Sequence, residues 1–175
     1  TGLIANRIDP FLKTLIHEEQ VCGVNGRYME DALIFIQNMT DQIQHYGGKS
    51  MICSLDLMAA FNKVSHQYID KVLSCMNFNN RIRNTISTIH GHMYSAVVIN
   101  GCKTGYFKLE KSIRQGDKMP TTLFILAIEP LANLIRRDRN LSPVILPNTR
   151  PKYLSQYCDD TNVYSTKPED YNLIE

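Results

Sequence analysis

The stretch Tyr153-Leu154-Ser155-Gln156-Tyr157-Cys158-Asp159-Asp160-Thr161-Asn162-Val163-Tyr164 decides the architecture. Strand-forming residues flank two adjacent aspartates, so it reads as two short strands about Asp159-Asp160. Asp tolerates left-handed backbone and bonds its own main chain, so turn chemistry alone can account for the pair. The functional reading of the same pair depends on a distant acid. Met51 to Leu57 is a short apolar run of strand length, expected to be buried on both faces, and Asp56 lies near its end. A strand-end cap would explain Asp56, yet a buried unpaired carboxylate costs on the order of several kcal/mol.

If the strand ending at Asp56 pairs beside the Asp159-Asp160 hairpin, the acids converge at one edge of the sheet. Like charges so close favour protonation unless divalent cations neutralise them. Magnesium takes hard oxygen ligands, commonly one or two carboxylates plus substrate phosphates. Two such ions about 3.5–4 Å apart stabilise the attacking and leaving oxygens of phosphoryl transfer. Strand alternation puts Asp159 with Tyr157 on one face and Asp160 with Cys158 on the other. Only one of the pair is then a full bridging ligand, and the expectation falls on Asp159.

Outward from these acids, the pattern alternates between helix and strand periods. An apolar-periodic stretch opens the chain (Leu3, Ile4, Ile8, Phe11, Leu12, Leu15, Ile16), interrupted by Pro10. Asp31 to Tyr46 predicts a helix with Leu33, Phe35, Ile36, Met39 and Ile43 on one stripe and Gly47-Gly48 as its stop. Ser65 is a cap for a helix carrying Ile69, Val72, Leu73 and Met76, and Asn79 or Asn80 starts another. Asn100-Gly101 between two alternating runs is a hairpin signal, because both turn residues must accept positive φ. Thr121 or Thr122 opens a long helix in which Pro130 predicts a kink. The order implies an α+β layer with a mostly antiparallel sheet.

Composition sets the outer bounds. The chain has 175 residues, 43% hydrophobic and 21% charged, which excludes a disordered or fibrous protein. Its apolar runs fall short of a membrane span. A net charge of +2 permits nucleic-acid binding without arguing for it. The five cysteines (Cys22, Cys53, Cys75, Cys102, Cys158) show no zinc spacing and read as buried small hydrophobes in a reducing, intracellular compartment. Arg136-Arg137-Asp138-Arg139 reads as a solvated helix end in preference to a phosphate grip, and His90-Gly91-His92 as a polar helix exit. Met39, Met58, Met76 and Met93 read as core filler. Thr1 and Glu175 look like cut ends of something longer.

Ser54-Leu55-Asp56 followed by Ala60-Phe61 and Val64, then Arg114-Gln115-Gly116-Asp117, then Tyr157-Cys158-Asp159-Asp160, resembles the ordered A, B and C motifs of reverse transcriptases. Ile4-Ala5-Asn6-Arg7, Glu19-Gln20, Gly26-Arg27, Val98-Ile99-Asn100-Gly101 and Phe124 to Leu131 narrow the resemblance to the LINE-like, non-LTR retrotransposon group. It implies a right-hand polymerase fragment: partial fingers over 1–48, palm over 49–165, and the start of a C-terminal segment over 166–175. By the same resemblance Asp56, Asp159 and Asp160, with the Leu57 carbonyl, would hold two Mg²⁺ ions, for which Mn²⁺ can substitute. Phe61 would be the steric gate that selects dNTPs. Arg114, Gln115 and Gly116 would line the nucleotide pocket, and Arg27 would touch the template. The implied partners are an RNA template, a DNA primer and dNTPs, in the nucleus and cytoplasm, with no membrane. The rest of the fingers, the thumb and the endonuclease of the parent polyprotein would lie outside the chain.

The chain departs from the family pattern at Ala59 and Asn62, at Lys118-Met119-Pro120, at Cys22-Gly23 in place of a Gly-Phe pair, and at Cys158 in place of Ala. These departures keep a second expectation open: a catalytically inactive remnant that acts as a nucleic-acid-binding or interaction module.

Overall fold

The computed structural model describes residues 2–46, 49–113 and 118–174. In chain order its elements are α1 (Gly2–Leu15), α2 (Met29–Tyr46), β1 (Met51–Leu55), α3 (Ala60–Lys63), α4 (His66–Cys75), α5 (Asn80–Gly91), β2 (Tyr94–Ser95), β3 (Val98–Ile99), β4 (Cys102–Lys103), β5 (Phe107–Lys108), α6 (Lys118–Arg137), β6 (Leu154–Tyr157), β7 (Asp160–Ser165), a 3₁₀ turn (Pro168–Asp170) and α7 (Tyr171–Ile174). β1, β7 and β6 form an antiparallel sheet in that spatial order. The expected α+β class with an antiparallel palm sheet is what the structure shows.

Alternation along β7 sends Val163 and Tyr164 to opposite faces. Val163 packs with Leu154, Leu141 and Ala132 on the α6 side. Tyr164 packs with Phe35 and Met39 of α2, its ring 5.1 Å from that of Phe35. β1 is less enclosed than its composition predicts: every second residue is exposed, Ile52 among them, because α2 packs over Tyr164 of β7 and leaves that face of β1 open.

The largest core lies away from the sheet. Ala5, Ile8 and Leu12 of α1 meet Ile69 and Leu73 of α4, Ile86 of α5, and Leu123 and Leu126 of α6. α1 runs through Pro10 without a break. The carbonyl that Pro10 leaves unbonded is that of Asn6, an exposed residue, so water can satisfy it. α6 begins at Lys118, before the expected Thr121 or Thr122. Pro120 is its third residue, where the missing N–H would have had no intrahelical acceptor anyway. The helix also continues through Pro130, and in the turn before it the Tyr68 hydroxyl donates to the Ala127 carbonyl at 2.9 Å.

Local signals read from the sequence hold at three points. Ser65 accepts from the Tyr68 N–H, Asn79 accepts from the Ile82 N–H, and Asn100 and Gly101 take φ of 50° and 80°. The cysteine reading is corrected: Cys22 and Cys158 form a disulfide, and Cys75 and Cys102 are exposed. Composition identifies small hydrophobes but not the helix face or hairpin tip on which they fall. Met58 is likewise 72% exposed, so it is not core filler. Among the described residues no helix is long and apolar enough to cross a membrane.

Candidate functional site

The site is built on the end of the three-stranded sheet. Pairing of β1 with β7 ends at Leu55 opposite Thr161. Asp56 directly follows Leu55 and Asp160 directly precedes Thr161, so the two acids adjoin the last pair and both line one cleft. The β6–β7 pairing ends with Tyr157 opposite Asp160, which leaves Cys158 and Asp159 as the two-residue turn. Three carboxylates from positions about a hundred residues apart therefore share one sheet end. Among the described residues, no hydrogen bond or ion pair engages the side chains of Asp56, Asp159 or Asp160.

The turn changes the facing of the acids. The alternation that grouped Asp159 with Tyr157 assumed a continuous strand, whereas the chain reverses at Cys158, at φ 56°. Residues opposite one another in an antiparallel pair share a face. Tyr157, Asp160 and Asp56 thus lie on the α2 side, where Asp56 and Asp160 line one cleft of about 330 Å³ with Ser54, Asn162 and Leu33. Asp159 stays in the half-buried turn. Asp56 also borders a second cleft of about 500 Å³ on the α6 side, with Leu57, Lys63, Phe124 and Ala127.

Other expected site residues divide between near and far. The Leu57 carbonyl accepts from the Ala60 N–H at 3.0 Å and keeps a second lone pair. Phe61 is half-buried, its ring stacked on Phe124 with centroids 4.2 Å apart. The Ile113 N–H donates to the Phe61 carbonyl at 2.9 Å, so the chain leaves the Phe61 neighbourhood directly before residue 114. Arg114, Gln115 and Gly116 themselves lie outside the described residues. Arg27 does not point at the sheet end. Its guanidinium donates to the carbonyls of Lys13, Ile16, His17 and Gln20, capping the C-terminal end of α1. Burial lowers its pKa, with Glu129 and Glu18 opposing that shift. These bonds give Arg27 an anchoring role at the end of α1.

Two networks around the site went unread in the sequence. The first is a single parallel bridge beside β6: Gln20 pairs with Gln156, the Val21 N–H donates to the Gln156 carbonyl, and the Gln156 N–H donates to that of Glu19. The Gln20 side chain, 1% exposed, accepts from the Cys158 N–H at 3.1 Å and donates to the Cys158 carbonyl at 3.2 Å. One amide thus holds both main-chain groups of the residue before Asp159. The second network is charged. Arg136 donates to Glu19 at 3.0 Å and to Glu129, and both carboxylates are buried. Burial raises the pKa of Glu129, against the nearby Arg136 charge. Arg136 is therefore an interior residue and not part of a solvated helix end, whereas Arg137 and Arg139 are exposed. Glu19-Gln20 was visible as a dipeptide, but its partners are more than a hundred residues away.

The donor set suits a hard cation. Carboxylate and carbonyl oxygens are what Mg²⁺ prefers. As the side chains stand, no three His, Cys, Asp or Glu side chains among the described residues form a metal cage. Magnesium does not require one, since it commonly uses one or two carboxylates and completes its shell with water and substrate phosphate.

The chain is similar to known proteins in both sequence and fold. The sequence model of the family described as reverse transcriptase (RNA-dependent DNA polymerase) matches residues 1–175. The chain belongs to the reverse transcriptase family. It is 30% identical over 159 residues to the transposon TX1 uncharacterized 149 kDa protein of Xenopus laevis, covering 90% of this chain and 12% of that protein. It is 23% identical over 88 residues to the retrovirus-related Pol polyprotein from type-1 retrotransposable element R2 of Popillia japonica, covering 50% of this chain and 14% of the relative. The reverse transcriptase chain thus spans only a small part of these relatives. In structure it is similar to telomerase from Candida albicans, solved in complex with a fragment of telomeric RNA, with a TM-score of 0.61 at 10% identity over 99% of this chain and 31% of that one. Apo telomerase from Candida tropicalis gives a TM-score of 0.60 at 11% identity, covering 98% of this chain and 34% of that one. These two likenesses show a shared fold.

Proposed function

We propose that this reverse transcriptase chain carries the metal-binding acids for RNA-templated DNA synthesis by nucleotidyl transfer, as part of a non-LTR retrotransposon polyprotein acting inside the cell. One observation carries the reading: the β1–β7 register brings Asp56 beside Asp160, with Asp159 in the adjoining turn and no protein partner for any of the three among the described residues. Asp56, Asp159 and Asp160, with the Leu57 carbonyl, would hold two Mg²⁺ ions, or Mn²⁺ in their place. When bound, such ions supply charge stabilisation to the attacking and leaving oxygens of phosphoryl transfer. The protein's share is positioning. Phe61, braced by Phe124, would limit space at the sugar of an incoming dNTP. Arg114, Gln115 and Gly116 follow a segment bonded to Phe61 and would line the nucleotide pocket. RNA template and DNA primer would lie across the sheet end.

Iron-mediated backbone cleavage tests this without requiring turnover. With Fe²⁺ in place of Mg²⁺ and peroxide added, cuts are expected around both residue 56 and residue 159, and excess Mg²⁺ should suppress them. Asp56→Asn should remove both clusters. Cuts at only one position, or at neither, would refute a shared metal site. In primer extension Asp159→Asn should lose about a hundredfold or more, the scale of deleting one transition-state contact, while Asp138→Asn should not.

A second reading, nucleic-acid binding without catalysis, rests on the departures from the family pattern at Ala59, Asn62 and Lys118-Met119-Pro120. It predicts salt-dependent RNA binding that is indifferent to Mg²⁺ and survives loss of all three aspartates.

A further inference from the structure

Cys22 and Cys158 are 136 residues apart in sequence and joined by a disulfide, with Cα atoms 5.3 Å apart. Cys158 is the first turn residue of the acid-bearing hairpin and directly precedes Asp159. Cys22 follows the segment bridged to Gln156, so it is already held against the same hairpin. Both are positions at which the chain departs from its family's pattern. The remaining three cysteines are unpaired in the structure: Cys53 is half-buried, and Cys75 and Cys102 are exposed.

We propose that Cys22 and Cys158 form a reversible oxidation site that latches the acid-bearing turn, with hydrogen peroxide as oxidant and a small thiol as reductant. Cys158 is half-exposed and Cys22 is 8% exposed, so Cys158 meets the oxidant first. Its thiolate attacks one peroxide oxygen and the O–O bond breaks. A sulfenic acid forms on Cys158, and hydroxide leaves to take up the thiol proton as water. The Cys22 thiolate then attacks the Cys158 sulfur, the S–O bond breaks, and a second water leaves. Two sulfurs are oxidised by one electron each, and the peroxide takes both electrons. Two molecules of small thiol reverse the step, leaving as their own disulfide.

The latch acts on Asp159 through the main chain. In the oxidised form Cys158 is held three ways: its N–H and carbonyl by the Gln20 amide, and its side chain by the Cys22 sulfur. In the reduced form only the Gln20 hydrogen bonds remain. Turns with fewer ties open more often by local unfolding, so reduction frees the turn that carries Asp159 while leaving the sheet intact.

The test uses the full chain, treated with one equivalent of hydrogen peroxide or with dithiothreitol, then alkylated in denaturant and mapped by mass. After peroxide, three alkylated cysteines are expected, Cys53, Cys75 and Cys102, with Cys22 and Cys158 recovered as one cross-linked species. After dithiothreitol all five should be alkylated. Amide exchange at Asp159 and Asp160 should be about tenfold slower in the oxidised form, with the Asn100-Gly101 turn unchanged as control. Alkylation of both Cys22 and Cys158 after peroxide would overturn the proposal, as would a cross-link to Cys75 or Cys102. Equal exchange in the two redox forms would also overturn it. In Cys22→Ser the turn should no longer respond to peroxide, and if that variant fails to fold the wild-type measurements decide alone. The proposal leans on the polymerase reading only for what the turn is for. Neither readout uses activity or metal, so slowed exchange without iron cleavage would remove the polymerase reading and leave the latch. Iron cleavage with equal exchange would do the reverse.

Discussion

Arg136 lies between two buried carboxylates, Glu19 from the chain's first thirty residues and Glu129 two turns earlier on the same face of α6, and is itself 11% exposed. Glu19 also accepts from the main-chain N–H groups of Tyr153 and Leu154 at the start of β6, so the cluster ties α6 to the strand that leads into the acid-bearing turn. Removing one partner of a buried pair leaves the others uncompensated, which costs far more than the pair contributes. Arg136→Ala should therefore destabilise the chain by about 3–5 kcal/mol in urea unfolding, against roughly 0.5 kcal/mol or less for exposed Arg137→Ala. A loss for Arg136 no larger than for Arg137 would place Arg136 in solvent after all. This residue also shows where sequence reading stops. Arg136 and Arg137 look alike in a basic run, and only the seven-residue spacing from Glu129 hints that one of them turns inward. The deciding partner, Glu19, is invisible at short range. The three aspartates were legible for the opposite reason: acids among strand formers are costly enough to be conspicuous.

At the scale of elements, what could be read was what local chemistry controls. Ser65 and Asn79 cap their helices and Asn100-Gly101 turns its hairpin, because each device is complete within four residues. The facing of Asp159 and Asp160 was misread because alternation carries no information across a turn, and the turn falls inside the aspartate motif. His90 shows the same limit on a helix. As one of a His-Gly-His triplet it looked like a polar exit, yet it is 4% exposed and stacks on His66 of α4 with centroids 4.5 Å apart. His92 is the one that reaches solvent, bonded to the Thr88 carbonyl. Burial, then the His66 charge, lowers the His90 pKa from 6.5 to about 4. The native state thus keeps the ring neutral while the unfolded chain takes up a proton below its ordinary pKa. Stability from this group is full above about pH 6.5 and is lost as pH falls toward about 4, by roughly 3 kcal/mol in all. His90→Phe should flatten that acid limb while leaving neutral-pH stability within about 1.5 kcal/mol. Urea midpoints at pH 7, 5.5 and 4.5 would show it, and an unchanged acid limb in the variant would reassign the pH dependence elsewhere.

At the scale of the whole molecule, family pattern divides the chain at 48/49 but packing does not. α1 belongs to the core of α4, α5 and α6, and Lys118 at the start of α6 pairs with Asp9 of α1. α2 covers the face of β7 that presents Tyr164. Glu19 to Val21 extend the sheet beside β6, and Gln20 fixes the turn that carries Asp159. Together α1, α2 and Glu19 to Val21 therefore complete the helical core, one face of the sheet and the hairpin on which the candidate chemistry depends. Unfolding of the whole chain should follow a single transition, with far-UV and near-UV circular dichroism coincident in urea. A polypeptide of residues 49–175 should lose that transition, because Leu123, Ile125 and Tyr164, each at 0% exposure in the intact chain, would face water where α1 and α2 had packed. Three such losses of core contact, at about 2–5 kcal/mol for each large side chain left without its neighbours, are as large as the whole net stability of a typical domain. A sigmoidal transition in the shortened polypeptide, with the Asp159 and Asp160 amides still protected, would instead show that the palm carries its acids unaided and that the boundary in the family pattern is also a boundary in stability.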